Sequence, residues 1–128
     1  MPGAVMSSDS ATAELITDAI AGAGLPDGTY ELMRRAVTVA DGHATLAGGT
    51  IAGSTATMDQ CVRNVHRQVN VPLAEAVKMA SYNPARVMGL TSRIGSLAVG
   101  KDANLAVIDE DVNVHLTMVK GKVVFSKL

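Results

Sequence analysis

Asp18 is the residue whose type and position best suit catalysis in this sequence. It ends a short apolar stretch, residues 15–17, that is predicted to be a strand, and it opens a glycine-containing loop. In α/β folds, ligands bind and catalytic groups gather at the carboxyl ends of strands. A carboxylate there could deprotonate a metal-bound water and then protonate a leaving amine. The pattern alone leaves open a helix cap or a turn-forming aspartate.

The other reactive side chains give weaker signals. His43, His66 and His115 do not form the H-x-H or H-E-x-x-H spacings that direct two imidazoles at one ion, so no self-sufficient zinc site is predicted. We expect all three at the surface or in interfaces. Cys61 lies on the apolar face of a predicted helix and is interpreted as a buried structural thiol. Ser54 lacks the G-x-S-x-G surroundings of a nucleophile and is interpreted as a helix cap.

A glycine-rich run occupies residues 47–54. It lacks the G-K-[ST] ending of a phosphate-binding P-loop. Its glycines could let backbone amides approach a substrate closely. A simple connection between a hairpin and a helix fits the composition equally well.

Composition limits the classes of protein that the chain can represent. At 128 residues it is too short for a complete (β/α)8 barrel of about 250 residues. The net charge of −1 and the three aromatic residues do not favour nucleic-acid binding. Neither a signal peptide nor an apolar run of about 20 residues for a membrane span is recognised. The single cysteine fits a reducing compartment. We therefore expect a cytoplasmic protein with no nucleic-acid or membrane partner.

Periodicity predicts short strands first, helices next and strands last. One helix begins near Met58 and is capped by Ser54 or Thr57, and a second opens at Pro72. A short third helix is predicted with Asn83 as its cap and Gly89 as its stop. After a long loop, the predicted tail is β. The predicted strands are 30–32, 36–40, 44–46, 104–108, 113–119 and 122–126, with turns at Asp41-Gly42 and Lys120-Gly121.

Four groups of motifs resemble the N-acetylglucosamine-6-phosphate deacetylase family of the amidohydrolase superfamily. The first two groups are the more specific ones, whereas the last two recur across the superfamily. The motifs are L-I-T-D-A-I at 15–20 with G-L-P-D-G at 24–28; D-G at 41–42 with T-I-A-G-S-T at 50–55, Met58 and V-R-N at 62–64; A-E-A at 74–76 with M-A-S at 79–81, N-P-A-R at 83–86 and G-L at 89–90; and G-S-L-A at 95–98 with G-K-D-A-N-L at 100–105.

The resemblance implies an α/β fold, of α+β character in isolation. It corresponds to the C-terminal portion of a metal-dependent hydrolase (β/α)8 barrel with the C-terminal strands of its small β-sandwich domain. Residues 14–90 would supply the last barrel strand, the substrate loop and the closing helices. Residues 91–128 would supply a linker and the final strands. Residues 1–13 are unmatched.

The resemblance also implies an activity: removal of the acetyl group from N-acetyl-D-glucosamine 6-phosphate to give glucosamine 6-phosphate and acetate. Asp18 matches the catalytic aspartate, which acts as base toward the metal-activated water and then as acid toward the amine. Ile51, Ala52 and Gly53 match the segment whose backbone lines the substrate.

The family's divalent metal, zinc or iron, is held by a glutamate and two histidines that precede the T-D-A motif and have no counterpart here. The isolated chain is therefore expected to be inactive. Because a last barrel strand without neighbours exposes unpaired edges, we expect a homo-oligomer. Two alternatives stay open: another amidohydrolase, such as a cyclic amide hydrolase or a nucleobase deaminase, or a non-catalytic or split-gene remnant that only folds and oligomerises.

Overall fold

The computed structural model describes residues 11–128 and shows two antiparallel sheets separated in sequence by three helices. The first sheet has the order β1-β2-β3-β4, and the second has the order β5-β6-β7. The strands of the first sheet are β1 (Gly28–Leu32), β2 (Arg35–Ala40), β3 (His43–Leu46) and β4 (Ile51–Ser54); those of the second are β5 (Leu105–Ile108), β6 (Val114–Val119) and β7 (Lys122–Ser126).

Two-residue turns with positive φ fix the hairpins. Asp41 and Gly42 have φ of 50° and 75°, and Lys120 and Gly121 have φ of 48° and 78°. Turns with two left-handed residues match the twist of the flanking strands, which is why D-G and similar pairs favour tight hairpins. Both predicted hairpin turns are confirmed.

The glycine-rich run contains a strand that the sequence did not predict. Residues 47–50 form a turn, but β4 follows immediately and pairs antiparallel with β3. The pairing shifts register between Ala44 and Thr45. Glycine and alanine have low strand propensity, so only pairing with β3 makes this stretch a strand.

The helices are α1 (Met58–Gln68), α2 (Leu73–Ala80) and α3 (Tyr82–Val87). Thr57 is the N-cap of α1, and its backbone N–H donates to Gln60 Oε1 at 3.0 Å. The interpretation of Ser54 as a helix cap is wrong, because Ser54 lies in β4 and its hydroxyl accepts a hydrogen bond from Ala56 N at 2.9 Å. Pro72 directly precedes α2 as its N-cap.

The sequence predicted Asn83 as the cap of the third helix, and this prediction is wrong. The cap position is held by Ser81, and Asn83 lies inside α3 with its side chain buried. The reason is a tertiary contact: its side-chain amide donates to the distant backbone carbonyl of Ala13. Gly89, with φ of 68°, follows the helix C-cap, as predicted.

The predicted strand at residues 15–17 does not form. This stretch has no regular secondary structure, and after it Ala19 makes a bridge, parallel to Ser54. Leu15 N instead donates to Met79 O of α2 at 2.9 Å. A parallel strand needs a continuous partner, and within residues 11–128 none lies beside residues 15–17.

Two apolar clusters support the fold. The first, called the helical cluster, consists of apolar side chains that join α1 and α2 to residues 13–15 through Ala13 and Leu15. The sheet cluster contains Val37, Val39 and Ala44, with Ile20 packed against it. Residues 13–20 therefore run from one cluster to the other. Within residues 11–128, no helix is long and apolar enough to cross a membrane.

Candidate functional site

Asp18 lies between the two apolar clusters with its side chain exposed. Its φ of 49° is in the left-handed region, which aspartate tolerates better than most residues do. Among residues 11–128, its carboxylate has no hydrogen-bond or ion-pair partner. The backbone is thus held in an unusual conformation while the carboxylate stays open to solvent.

Strand β4 holds the backbone of Asp18 from one side. Ser54 N donates to Asp18 O at 2.8 Å, and Ile20 N donates to Ser54 O at 2.9 Å. These two bonds form the parallel bridge at Ala19. Strand β4, which carries the predicted substrate segment, therefore lies beside Asp18, the predicted catalytic residue.

Gly53 makes this close approach possible. A Cβ on residue 53 would lie 2.5 Å from Ile20 Cγ2 and 3.2 Å from Asp18 O. The φ of 148° at Gly53 is one that other residues rarely adopt. The space of the missing side chain is occupied by Ile20, which packs on the sheet cluster.

The other two predicted substrate residues differ from Gly53. Ala52 is partly buried against the sheet cluster, whereas the side chain of Ile51 is 79% exposed. The structure thus brings Gly53 directly beside Asp18 and places Ile51 further along β4 in solvent. Contact with a substrate stays a prediction for all three.

Helices α2 and α3 hold the chain that leads to Asp18. Asn83 Nδ2 donates to Ala13 O at 2.6 Å, and Arg86 Nη2 donates to Ala11 O at 3.1 Å. The sequence analysis did not predict this contact of Asn83. The signal that could have found it is the N-P-A-R motif, since a buried asparagine inside a helix must find a distant partner.

The histidines do not converge. His43 is exposed, His66 Nδ1 lies 2.8 Å from Val71 O, and His115 Nε2 lies 3.1 Å from Asp109 Oδ2. Because a carbonyl oxygen only accepts, His66 carries its proton on Nδ1. Within residues 11–128, no group of three or more histidine, cysteine, aspartate or glutamate side chains could hold a metal ion.

Cys61 is buried, as predicted, and burial raises the pKa of its thiol, with the nearby Asp59 charge adding to the effect. Its Sγ lies 4.0 Å from Ile16 O. A buried thiol with a raised pKa is a poor nucleophile. Cys61 therefore packs against the stretch that leads to Asp18 without taking part in its chemistry.

A largely apolar cavity of about 620 Å³ lies between the helices and the second sheet. Its walls include Val62 of α1, Val77 of α2 and Leu105 of β5. Neither Asp18 nor Ile51, Ala52 or Gly53 lines it. This cavity is thus separate from the predicted catalytic residue.

Known proteins resemble this chain along most of its length. The N-acetylglucosamine-6-phosphate deacetylase of Vibrio furnissii is 43% identical over 111 residues, which are 87% of this chain and 28% of the relative. The N-acetylgalactosamine-6-phosphate deacetylase of Escherichia coli O157:H7 is 41% identical over 108 residues, 84% of this chain and 29% of the relative.

A solved structure shows the same fold. The crystal structure of N-acetylglucosamine-6-phosphate deacetylase from Pasteurella multocida superposes with a TM-score of 0.81 at 36% identity. The match covers 86% of this chain and 29% of that one. The mixed fold and the resemblance predicted from the motifs are confirmed. The chain spans less than a third of the length of these relatives.

The family model for the amidohydrolase family matches residues 6–124. This match includes Asp18, the whole of β4, all three helices and most of the second sheet. The chain belongs to the amidohydrolase family.

Proposed function

We propose that this chain is the part of an enzyme that carries the catalytic aspartate, Asp18. The enzyme hydrolyses the acetamide of N-acetyl-D-glucosamine 6-phosphate to glucosamine 6-phosphate and acetate. The observation that carries the proposal is the position of Asp18, whose carboxylate is open to solvent while β4 holds its backbone. The similarity to deacetylases named for this substrate supports the choice of substrate.

The chemistry suits one exposed carboxylate. Amide hydrolysis requires removal of a proton from the attacking water and delivery of a proton to the departing nitrogen. The Asp18 carboxylate can accept the first proton and return it as the second. In this account, the β4 backbone at Ile51, Ala52 and Gly53 orients the sugar, with Gly53 keeping the strand close to Asp18.

Amidohydrolases generally use a divalent metal, and the resemblance implies zinc or iron. Residues 11–128 do not fit such a site, since they contain no suitable group of ligands. We therefore assign the described residues no metal-ligand role. Their part in this proposal is the proton transfer by Asp18 and the positioning of the sugar by β4.

The galactosamine epimer is the second candidate substrate. It is favoured by the similarity to the Escherichia coli deacetylase, which is nearly as close as the Vibrio relative. The two sugars share the acetamide and the phosphate and differ in the orientation of one ring hydroxyl. The same proton transfers by Asp18 serve both.

A hybrid enzyme tests the proposal. Residues 14–128 replace the matching segment of the Vibrio furnissii deacetylase, and acetate release is measured with both sugar phosphates. We expect release from N-acetyl-D-glucosamine 6-phosphate, with slower release from the epimer. Faster release from the epimer would move the assignment to the second candidate. A folded, metal-loaded hybrid that releases no acetate from either sugar would contradict the proposal and favour the non-catalytic remnant.

We also propose that the chain self-associates in the cytoplasm, the compartment where phosphorylated sugars are metabolised. The edge strand β7 supports association, because Val123, Val124 and Phe125 are 46%, 58% and 41% exposed. Exposed apolar edge strands pair readily with other chains. Size-exclusion chromatography with light scattering should give at least twice the monomer mass of 13.2 kDa. A folded chain at the monomer mass over a range of concentrations would refute association.

A further inference from the structure

We propose that Asn83 is a positioning residue for Asp18, acting through the backbone of the stretch that leads to it. The proposal rests on the catalytic role proposed for Asp18. Asn83 does not reach the carboxylate itself, since it is buried within α3 at 2% exposure. What it holds is the carbonyl of Ala13.

Asn83 supplies the buried side chain in a set of three hydrogen bonds. Arg86 Nη2 donates to Ala11 O, Asn83 Nδ2 donates to Ala13 O, and Leu15 N donates to Met79 O. The residues reached are Ala11, which lies in a turn, and Ala13 and Leu15, which follow it. Helices α2 and α3 therefore bind the backbone of this stretch at three points before Asp18.

The helices hold residues 11–15 at one end of this segment, and β4 holds residues 18–20 at the other end. Ala13 and Leu15 are buried in the helical cluster, and Ile20 packs on the sheet cluster. Asp18 lies between these fixed points with a left-handed φ. A displacement at Ala13 is transmitted through residues 14–17 to Asp18 and to the bridge of Ala19 with Ser54.

The amide of Asn83 is suited to this contact because it donates without carrying a charge. Ala13 is 4% exposed, so water cannot readily replace a lost donor at its carbonyl. An ionised carboxylate at position 83 would face the carbonyl oxygen with like partial charge. A leucine would fill the space and donate nothing.

Hydrogen exchange measured by NMR on the full 128-residue chain tests the positioning role. Asn83→Asp and Asn83→Leu are compared with the wild-type chain through the protection of the Ile20 and Ser54 amides. At neutral pH, we expect roughly tenfold lower protection of these two amides in both variants. The Cys61 and Met118 amides, in α1 and β6, should keep their protection.

Acid separates the two variants. Burial raises the pKa of a substituted carboxyl, so at about pH 4 Asn83→Asp is protonated and can donate to Ala13 O again. We expect its protection at Ile20 and Ser54 to return toward the wild-type value at the same pH, while Asn83→Leu does not recover. An equal loss of protection at all four amides would overturn the proposal. So would unchanged protection at Ile20 and Ser54, or equal acid recovery by both variants.

Arg86→Met keeps the proposal testable if the Asn83 variants do not fold. It removes the exposed member of the set and should lower protection at Ile20 and Ser54 by a smaller factor. No change at either amide would overturn the proposal in that case.

The hybrid enzyme adds a catalytic measurement. Asn83→Asp should lower kcat at neutral pH while KM stays within about twofold, because the substitution displaces the reacting carboxylate, whereas β4, which orients the sugar in this proposal, is still paired with β3. A raised KM with unchanged kcat would overturn the proposal. If the wild-type hybrid is inactive, the proposed function fails, whereas the exchange measurements still decide whether Asn83 holds the Asp18 segment.

Discussion

Residues 11–20, which include Asp18, are attached to helices, and so is the second sheet. The two regions use different kinds of contact. The segment, residues 11–20, is held mainly by backbone bonds and by the buried, neutral amide of Asn83. The second sheet is held by charged side chains of α1. Arg63 donates to Asp111 O at 2.8 Å and to Val112 O at 2.9 Å.

The turn between β5 and β6 completes the charged attachment. Arg67 contacts the Glu110 carbonyl at 3.2 Å and pairs with the Asp111 carboxylate. Val112, 1% exposed, inserts into the helical cluster beneath these contacts. Most of this network faces water, where ion pairs contribute little to stability.

The difference shows what each region can tolerate. The attachments of the Asp18 segment form no ion pair with the Asp18 carboxylate within residues 11–128, and the charged Arg86 binds the segment at Ala11, away from Asp18 in the sequence. They also depend on close packing, which a single added methyl group disturbs. The second sheet is held by several polar contacts at the same turn. We therefore expect a single substitution there to lower the free energy of unfolding less than one in the Asp18 segment.

The largest effect on stability is expected at Gly53. Gly53→Ala adds a Cβ within 2.5 Å of Ile20 Cγ2 at a φ unsuited to alanine, and it should cost ~2–4 kcal/mol in urea unfolding. Gly48→Ala is the matched control: its φ of 95° is also unfavourable, but nothing lies within 4 Å. The control should cost ~1–2 kcal/mol. Equal losses would mean that close approach to the Asp18 segment is unimportant.

The attachment of the second sheet should respond more weakly. Arg63→Met keeps the aliphatic stem but removes two donors to carbonyls, and we expect a loss of ~1.5–3 kcal/mol. Arg67→Met removes an exposed pair and should cost at most ~1 kcal/mol. Urea unfolding of both variants measures the difference. A larger loss for Arg67→Met would show that the ion pair, and not the carbonyl contacts, fastens the sheet.

The smallest effect concerns pH. Hydrogen bonds from the Asn113 side chain and backbone, and then from His115, hold the pKa of Asp109 well below its ordinary value of 3.8. A lowered pKa contributes stability that is present above the unfolded value and is lost as the pH falls through the folded value. Below about pH 4, the wild-type chain should therefore lose stability more steeply than Asp109→Asn.

Unfolding midpoints between pH 2 and 6 measure the two slopes. Glu110→Gln controls for the loss of one negative charge from the same turn. Parallel slopes for the wild-type chain and Asp109→Asn would show that Asp109 contributes nothing to acid sensitivity.

How much the sequence predicts differs between the two regions. The second sheet follows from local signals, because apolar strands flank a tight Lys120-Gly121 turn, and its strands lie within a residue of the predicted bounds. The Asp18 segment depends on distant contacts. Its predicted strand does not form, because Leu15 N donates to Met79 O of α2 and not to a neighbouring strand. Ala13 O likewise accepts from Asn83 in α3. Local periodicity carries no information on such pairings.

The residues beside Asp18 were predicted from motifs and not from periodicity. The resemblance matched Gly53 to a substrate-lining segment, and in the structure a Cβ on Gly53 would lie 3.2 Å from Asp18 O. Strand β4 itself was not predicted, because glycine and serine favour loops and alanine has low strand propensity. The motifs thus singled out the candidate residues, whereas the contacts that hold them are seen only in the fold.

Replacing Asp18 with asparagine in the hybrid enzyme tests whether Asp18 transfers the protons of amide hydrolysis. Asparagine has the same shape and tolerates the left-handed φ of 49°, so the fold and the binding of the sugar should be unchanged. It cannot accept the proton of the attacking water. We expect a fall in kcat of roughly 10²–10⁴-fold, with KM little changed. A variant that deacetylates the sugar at the wild-type rate would contradict this role of Asp18.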